Sequence, residues 1–577
     1  MTPQLPPSEP PEPLHQQIPK SHDEVQVQHW APPRNGVIPQ LRIGKRWFNV
    51  LWLIPIGITG LVVGAGVAHE LRALPVVNEF ITKFPGQSST TVYYSGFPLW
   101  VRIQHVLNLF LMMFIIRSGI QILADHPRLY WNKDCTPGTE WFRFQHEVPQ
   151  GVLWMAKDDA VTIPNWLGIP GIRHSIGLAR WWHFSCDMLW LINGIVFYFL
   201  LFSTHQWQRL VPTSWDVFPN ALSTALQYLS LQMPYENGWI RYNSLQQLAY
   251  FATVFLAAPL AVFTGLMQAP AIGNNLGVLG RIFHRQTARS IHFLIMLWFV
   301  QFIGVHVTMV FLTGLKRNLN HITLGNNSFG WNGTIVAAIA LSILAFLYLT
   351  VSPFTLKHAR LVQKVGSLMT GWFKSLMEMR DPDNQFSEKD ISPYLWPNGL
   401  APTSKEFLDL EEHGFADYSL HVTGLVENPH DFSFAELRTF PKQEQTTEHF
   451  CIQGWSGIAK WGGVPMTKIL EIVKPLPQAK HVVFYSFGEG GEGGVYYDAH
   501  KIENMRHKLS LLAYEMNGEP LPLQHGPPLR LRCENELGFK QVKWIRSIEF
   551  VEDFKDLGSG QGGYNEDHEF YGYRMPI

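Results

Sequence analysis

The sequence predicts an all-α bundle of six transmembrane helices followed by a mainly β, α+β soluble domain. Six stretches are long and apolar enough to cross a hydrocarbon layer of about 30 Å. Only 16% of the 577 residues are charged, against roughly 25% in soluble proteins. The 21 Trp and 38 Phe suit embedded and interfacial surface. Past about residue 375, short β-rich runs between Gly and Pro turns replace the long apolar stretches.

Residues 1–40 are rich in Pro and Gln and hold no apolar run. They cannot bury enough surface to fold alone and read as a disordered tail. Residues 41–375 form the membrane domain, with spans at approximately 47–68, 97–123, 181–203, 246–268, 287–314 and 332–353. Pro55 and Pro259 fall inside the first and fourth, where neighbouring helices re-satisfy the freed backbone. Residues 376–577 form the soluble domain, large enough for one core. Within it Leu420–Val422, His481–Tyr485, Leu529–Arg532 and Ile545–Val551 read as strands.

Six spans put both termini on one side, and basic residues choose it. Arg42, Lys45 and Arg46 precede the first span, Arg281, Arg285 and Arg289 flank the fifth, and Lys357, Arg360 and Lys364 follow the sixth. The long loop between the second and third spans adds Arg128, Lys133, Arg143, Lys157 and Arg173. The opposite loops hold two basic residues each. The positive-inside rule then places both termini and the soluble domain in the cytoplasm of a bacterial inner-membrane protein. No secretory or twin-arginine signal opens the chain, which fits cofactor insertion on that side. A net charge of −1 argues against nucleic-acid binding. Cys135, Cys186, Cys451 and Cys533 are scattered without CxxC or CxxCH, which argues against a disulfide framework or a structural zinc site and excludes covalent haem attachment.

His292 and His306 share the fifth span, fourteen residues apart. At about 100° per residue that is roughly 40° short of four turns, so both imidazoles leave nearly the same face, about 21 Å apart along the axis. Histidines at membrane depth are costly unless partnered. Direction of travel pairs them with the second and third spans. His183 starts the third span level with His292, and His105 starts the second level with His306. Each pair is a candidate axial set for one b-type haem. His69 and His205 lie at span ends and read as interfacial.

One histidine in each of two spans with a fourteen-spaced pair in a later one resembles the dihaem cytochrome b subunits of formate dehydrogenases and nickel–iron hydrogenases, over about residues 97–314. That resemblance implies electron exchange between a catalytic partner and membrane quinone. The first and sixth spans are additions to it.

Cys451 lies in FCIQGWSGIAKWGGVPM (450–466). By its chemistry alone, a single Cys reads as a small buried hydrophobe. Gly454, Gly457, Gly462 and Gly463 allow close backbone approach to a ligand, and a thiolate is a soft metal ligand. Together with HVTGLVENPHDFSFAEL (421–437), LLAYEMNGEPLPLQHGPPLRLR (511–532) and GFKQVKWIRSIEF (538–550), this segment resembles the sulfite oxidase family. The resemblance implies a sulfite oxidase-type molybdopterin domain with Cys451 on the molybdenum. His525, Arg530, Lys543 and the backbone beside Trp544 would contact the pterin or its phosphate, and Asn398 would add an early pterin contact. Sulfite-oxidising members carry arginines after the ligand Cys. Here Ile452, Gln453, Gly454 and Trp455 follow, closer to the bacterial protein-methionine-sulfoxide reductases. The loop GEGGEGGVYYD (488–498) brings Glu489 and Glu492, which would repel an anion. Tyr496 and Tyr497 read either as the substrate mouth or as solvated loop aromatics, and the tail GQGGYNEDHEFYGYRMPI (560–577) has no assigned role.

The expected protein is a molybdenum oxidoreductase carrying molybdopterin and two b haems. It would couple an S- or N-oxide to quinone or quinol, and a homodimer is compatible with it. Three alternatives remain: a sulfite-type dehydrogenase donating to quinone, a superoxide- or quinone-handling cytochrome with an accessory molybdenum domain, and a haem-free anchor.

Overall fold

The computed structural model describes residues 38–89, 92–144, 147–232, 237–377 and 384–576. Nearly all of the expected tail lies outside them. Six helices long and apolar enough to cross a membrane run Val50–Ala73, Leu99–Asp125, Ile176–Ser203, Ser244–Met267, Arg285–Leu312 and Asn332–Lys357. At about 1.5 Å per residue each exceeds the hydrocarbon thickness. This is a multi-pass membrane protein. The third span begins at Ile176 and the fifth at Arg285, ahead of the expected 181 and 287, and the polar first turn of the fifth stays helical while bonding the soluble domain.

The fourth span is not a continuous α-helix. Residues Ala252–Ala257 form a π-helical turn just before Pro259. Proline supplies no N–H and clashes with the preceding turn, and a π-turn is a common way to absorb this. The Tyr198 hydroxyl of the third span donates to the Val254 carbonyl, so a neighbour satisfies the loosened backbone. Residues just inside the described chain form a hairpin, Gln40–Ile43 with Arg46–Asn49, whose first strand pairs with Phe142–Arg143 of the second-to-third loop, and that strand in turn pairs with Arg128–Leu129.

Beyond the sixth span, helix Ala359–Met377 buries Ala359 and Val362 against Leu178 and Trp181 of the third span. Its other side exposes Leu361, Val365, Leu368 and Trp372 at helical spacing. The soluble domain holds two five-stranded sheets. One runs Val495–Lys501, His481–Glu489, Ile545–Val551, Ser419–Gly424, His430–Ser433; only the Ile545–Val551 pairing with Ser419–Gly424 is parallel. The other is built on Gln443–Phe450, Ser456–Pro465 and Leu511–Met516, with Glu519–Pro520 and Arg530–Arg532 at its edge. All four expected β segments lie in strands or at their ends. The sheets close on a core that includes Leu420, Val422, Phe484, Leu512, Leu531 and Ile548.

The C-terminal tail is a strap between the two halves. Trp181 Nε1 of the third span donates to Phe570 O at 2.8 Å, Arg360 to Asp567 O at 2.6 Å, and Gln363 to Tyr571 O at 2.7 Å. A Cβ at Gly177 would come within 2.3 Å of Glu569 O. Only glycine lets the tail lie that close to the helix.

Candidate active site and redox centres

Strand Gln443–Phe450 ends where the Cys451 loop begins, and strand Ser456–Pro465 leaves it. The loop closes on itself through Cys451 N donating to Trp455 O at 3.0 Å. Cys451 opens into a cavity of about 150 Å³ that also holds Asn398, His525, Arg530, Lys543 and Trp544. All six residues expected at the pterin and metal are thus brought to one cavity.

Its electrostatics divide into two ends. Around His525, Arg530 and Lys543 no ion pair is formed among the described residues. Burial together with Lys543 and Arg530 pushes the His525 imidazole down to about 3. Burial and Arg530 hold Lys543 well below its ordinary range, and burial and Arg532 do the same to Arg530. Lys543 donates to Gln524 O at 2.8 Å, and Arg530 to His525 O at 3.0 Å. Arg530 Nε, Asn398 Oδ1, Gln524 Oε1 and Gln541 Oε1 are buried without a hydrogen-bond partner. Crowded cations and orphaned polar atoms fit a group that ends in a phosphate and carries hydrogen-bonding ring edges. At the other end, burial pushes the Cys451 thiol up to about 12. That is how a buried thiol behaves before a metal takes it as thiolate. The residues present fit a molybdenum–pterin group.

Several wall residues were missed by sequence reasoning. Lys157, from the loop between the second and third spans, forms an ion pair with Glu569 of the tail, and both line the cavity with Asn565 and Tyr571. These contacts cross hundreds of residues, and no local pattern announces them. His449 also lines the cavity. It lies two residues before Cys451 in a strand, so the period-two rule could have found it. Tyr496 reaches the wall, its hydroxyl donating to Phe539 O at 2.9 Å. Tyr497 instead turns into the core and donates to Asp567 at 2.6 Å, so it forms no part of a mouth. Glu489 lines the cavity; Glu492 does not.

In the bundle, the His105 and His306 rings lie 6.2 Å apart centre to centre, and the His183 and His292 rings 6.4 Å. An imidazole nitrogen lies roughly 1.1 Å from its ring centre and a metal–imidazole bond is about 2.0–2.1 Å, so rings sharing one metal ion sit about 6.2–6.4 Å apart. Both pairs fit an iron between them. The far nitrogens are already oriented. His183 Nδ1 lies 3.0 Å from Ser118 Oγ, His292 Nδ1 3.0 Å from Thr264 Oγ1, and His306 Nδ1 3.3 Å from Tyr250 OH. Such contacts fix ring orientation and leave Nε2 for the metal. Asp187, one turn beyond His183, approaches its Nε2 at 3.4 Å and was not singled out in the sequence. Gly119 and Gly265 face the His183 and His292 rings, where a Cβ would come within 3.2 and 3.6 Å. Among the described residues no group of three or more His, Cys, Asp or Glu clusters as a metal site; each histidine set is a pair.

The two centres meet at the start of the fifth span. Gln286 donates to Gly454 O at 2.9 Å and Arg285 to Trp455 O at 3.4 Å. Arg289 donates to Arg128 O and His126 O. Gly454 has φ +110°, and a Cβ there would lie 3.1 Å from Arg289 Cζ. The loop of Cys451 therefore rests on the helix that carries His292, six residues or about 9 Å further along.

Comparison with known proteins agrees with both halves. The family described as prokaryotic cytochrome b561 matches residues 96–324, and the oxidoreductase molybdopterin binding domain matches residues 408–556. A protein of Azospira oryzae named "Putative protein-methionine-sulfoxide reductase subunit YedZ1" is 32% identical over 188 residues, 30% of this chain and 67% of that protein. The protein-methionine-sulfoxide reductase catalytic subunit MsrP of Xanthomonas campestris is 35% identical over 145 residues, and that of Xanthomonas axonopodis 34%. Each of these two alignments covers 23% of this chain and 45% of the relative, so the chain spans under half of the MsrP proteins' length. Among solved structures, the sulfane dehydrogenase SoxCD from Paracoccus pantotrophus is 26% identical over 24% of this chain and 39% of that one, with a TM-score of 0.22. The chain joins a prokaryotic cytochrome b561 domain to an oxidoreductase molybdopterin binding domain and is a molybdopterin-dependent oxidoreductase with a haem b membrane half.

Proposed function

We propose that this protein moves electrons between a cytoplasmic S- or N-oxide and the quinone pool, through molybdenum at Cys451 and two b haems. The supporting observation is the Cys451 loop seated on the first turn of the helix bearing both His292 and His306. When bound, the molybdenum–pterin group supplies two-electron oxygen-atom transfer and the haems supply single-electron transfer. Cys451 holds the metal, while Asn398, His525, Arg530, Lys543 and the Trp544 backbone hold the pterin and its phosphate. His183 with His292 holds the haem nearer the soluble domain, and His105 with His306 holds the outer one.

Substrate choice follows from the residues after the metal ligand. Near Cys451 the Lys157 ammonium is neutralised by Glu569, while the buried Arg285 and Arg180 stand within electrostatic reach of the thiol and form no ion pair among the described residues. Ile452 and Gln453 follow the metal ligand, and Glu489 adds a carboxylate to the wall. Apolar and amide side chains directly after the ligand Cys, where sulfite-oxidising members carry arginines, favour a neutral oxide over sulfite. The relatives named as methionine-sulfoxide reductases favour an S-oxide among such substrates. The basic residues flanking the spans favour a cytoplasmic soluble domain.

Metal and haem analysis of the purified protein tests this, followed by mixing its dithionite-reduced haems with S-oxides, N-oxides or nitrate. One molybdenum and two b haems per chain, with haem oxidation by an S-oxide, are expected. Absence of molybdenum overturns the proposal, and reduction of the oxidised haems by sulfite, added to a separate dithionite-free sample, reverses its direction. A second expectation concerns the phosphate end. A hydrogen bond to a charged group contributes about 1.5–3 kcal/mol, so Arg530→Gln should weaken pterin retention roughly 10- to 100-fold. Molybdenum content after gel filtration measures it.

A further inference from the structure

Among the described residues, Arg209 is a buried cation that no carboxylate pairs. It ends the short turn Gln206–Arg209 at the outer end of the third span and is 6% exposed. Its guanidinium carbon lies 4.4 Å from the centre of the Tyr94 ring, 4.6 Å from Phe97 and 5.4 Å from Tyr242. Nη2 donates to Gly96 O at 3.0 Å, and the group lies against the Tyr242 hydroxyl. Nε and Nη1 have no hydrogen-bond partner. Among the described residues no carboxylate pairs with it.

The surroundings lead to His306. The Tyr242 ring lies 4.9 Å from Tyr250, and the Tyr250 hydroxyl lies 3.3 Å from His306 Nδ1. Phe97, whose ring lies 6.4 Å from that of Tyr242, is eight residues before His105 in the chain. The cation therefore stands where the second and fourth spans begin, linked through Tyr242 and Tyr250 to the pair whose rings are set for an iron. A b-type haem carries two propionate carboxylates on one edge. Inside a bundle they lose their water and need a charged donor. A guanidinium with idle N–H groups, held among aromatic rings, suits a carboxylate better than an ammonium would.

We propose that Arg209 binds a propionate of the outer haem and helps set that haem's potential. This rests on the dihaem reading, and its test separates the two. Holoprotein carrying Arg209→Gln or Arg209→Lys is analysed for haem count, for molybdenum content as a folding control, and by spectroscopic redox titration. Reduction adds negative charge to the haem, so removing a nearby cation disfavours it. In Arg209→Gln one of the two haems is expected to be lost or to titrate at lower potential, with molybdenum retained; Arg209→Lys should preserve more of the wild-type behaviour. In the His292→Ala background, which keeps only the outer haem, the same shift or loss should persist. Two haems at wild-type potentials in Arg209→Gln overturn the proposal. So does a raised quinol KM with unchanged haems, which would make the cluster a quinone site. Glu236, in the same loop but outside the described residues, is the control. If Glu236→Gln reproduces the effect, the partner is the chain's own carboxylate and the proposal falls. Fewer than two haems in the wild-type protein would defeat the dihaem reading instead.

Discussion

Replacing Cys451 with serine is expected to abolish substrate turnover while leaving both haems reducible by quinol. Changing even an outer partner of a metal ligand typically costs about 10- to 100-fold in affinity or activity, so loss of the sulfur itself should cost more than about 100-fold. Cys451 is 4% exposed and packed with Phe450, Ile452 and Trp455. Serine is smaller and keeps the loop's backbone bonds, so the fold should survive. Molybdenum content, oxide-dependent turnover and the quinol-reduced haem spectrum measured on one preparation separate the outcomes. If the variant still turns over its substrate, the chemistry is elsewhere and the molybdenum domain is accessory.

His292→Ala is expected to remove the haem nearer the soluble domain and to stop quinol-driven turnover. The other haem should remain, because His105 and His306 are paired independently at 6.2 Å. Turnover with an artificial low-potential donor that reaches the cavity directly should persist. A haem count of one per chain, with donor-driven activity kept, is the predicted combination. Retention of both haems would show that His183 and His292 do not share an iron. His306→Ala should spare the inner haem instead, and the two variants together fix the order of the chain.

The bundle was legible because helices are rigid rulers. Fourteen residues fix an angle and a distance, and the direction of each span fixes depth, so His105, His183, His292 and His306 could be paired before any contact was known. The strands around Cys451 were legible for a related reason: alternation and turn residues are local. What stayed hidden was non-local. Lys157 and Glu569 are 412 residues apart in sequence, and nothing in either neighbourhood names the other. The tail looks like a polar, Gly-rich end, yet Glu566, Asp567, Glu569, Phe570 and Tyr571 are buried against both halves. The π-turn before Pro259 was invisible as well. Sequence shows that proline disturbs a helix, but the relief depends on Tyr198 from another span.

The seating of Gly454 and Trp455 on Arg285, Gln286 and Arg289 has a kinetic consequence. Donor and acceptor halves made as separate chains must collide and dock for every pair of electrons, and their rate falls when they are diluted. Here each cavity owns its wire permanently, at an effective concentration that dilution does not change. Turnover per molecule should therefore be the same in sparsely and densely loaded vesicles, and a cell cannot make one half in excess of the other.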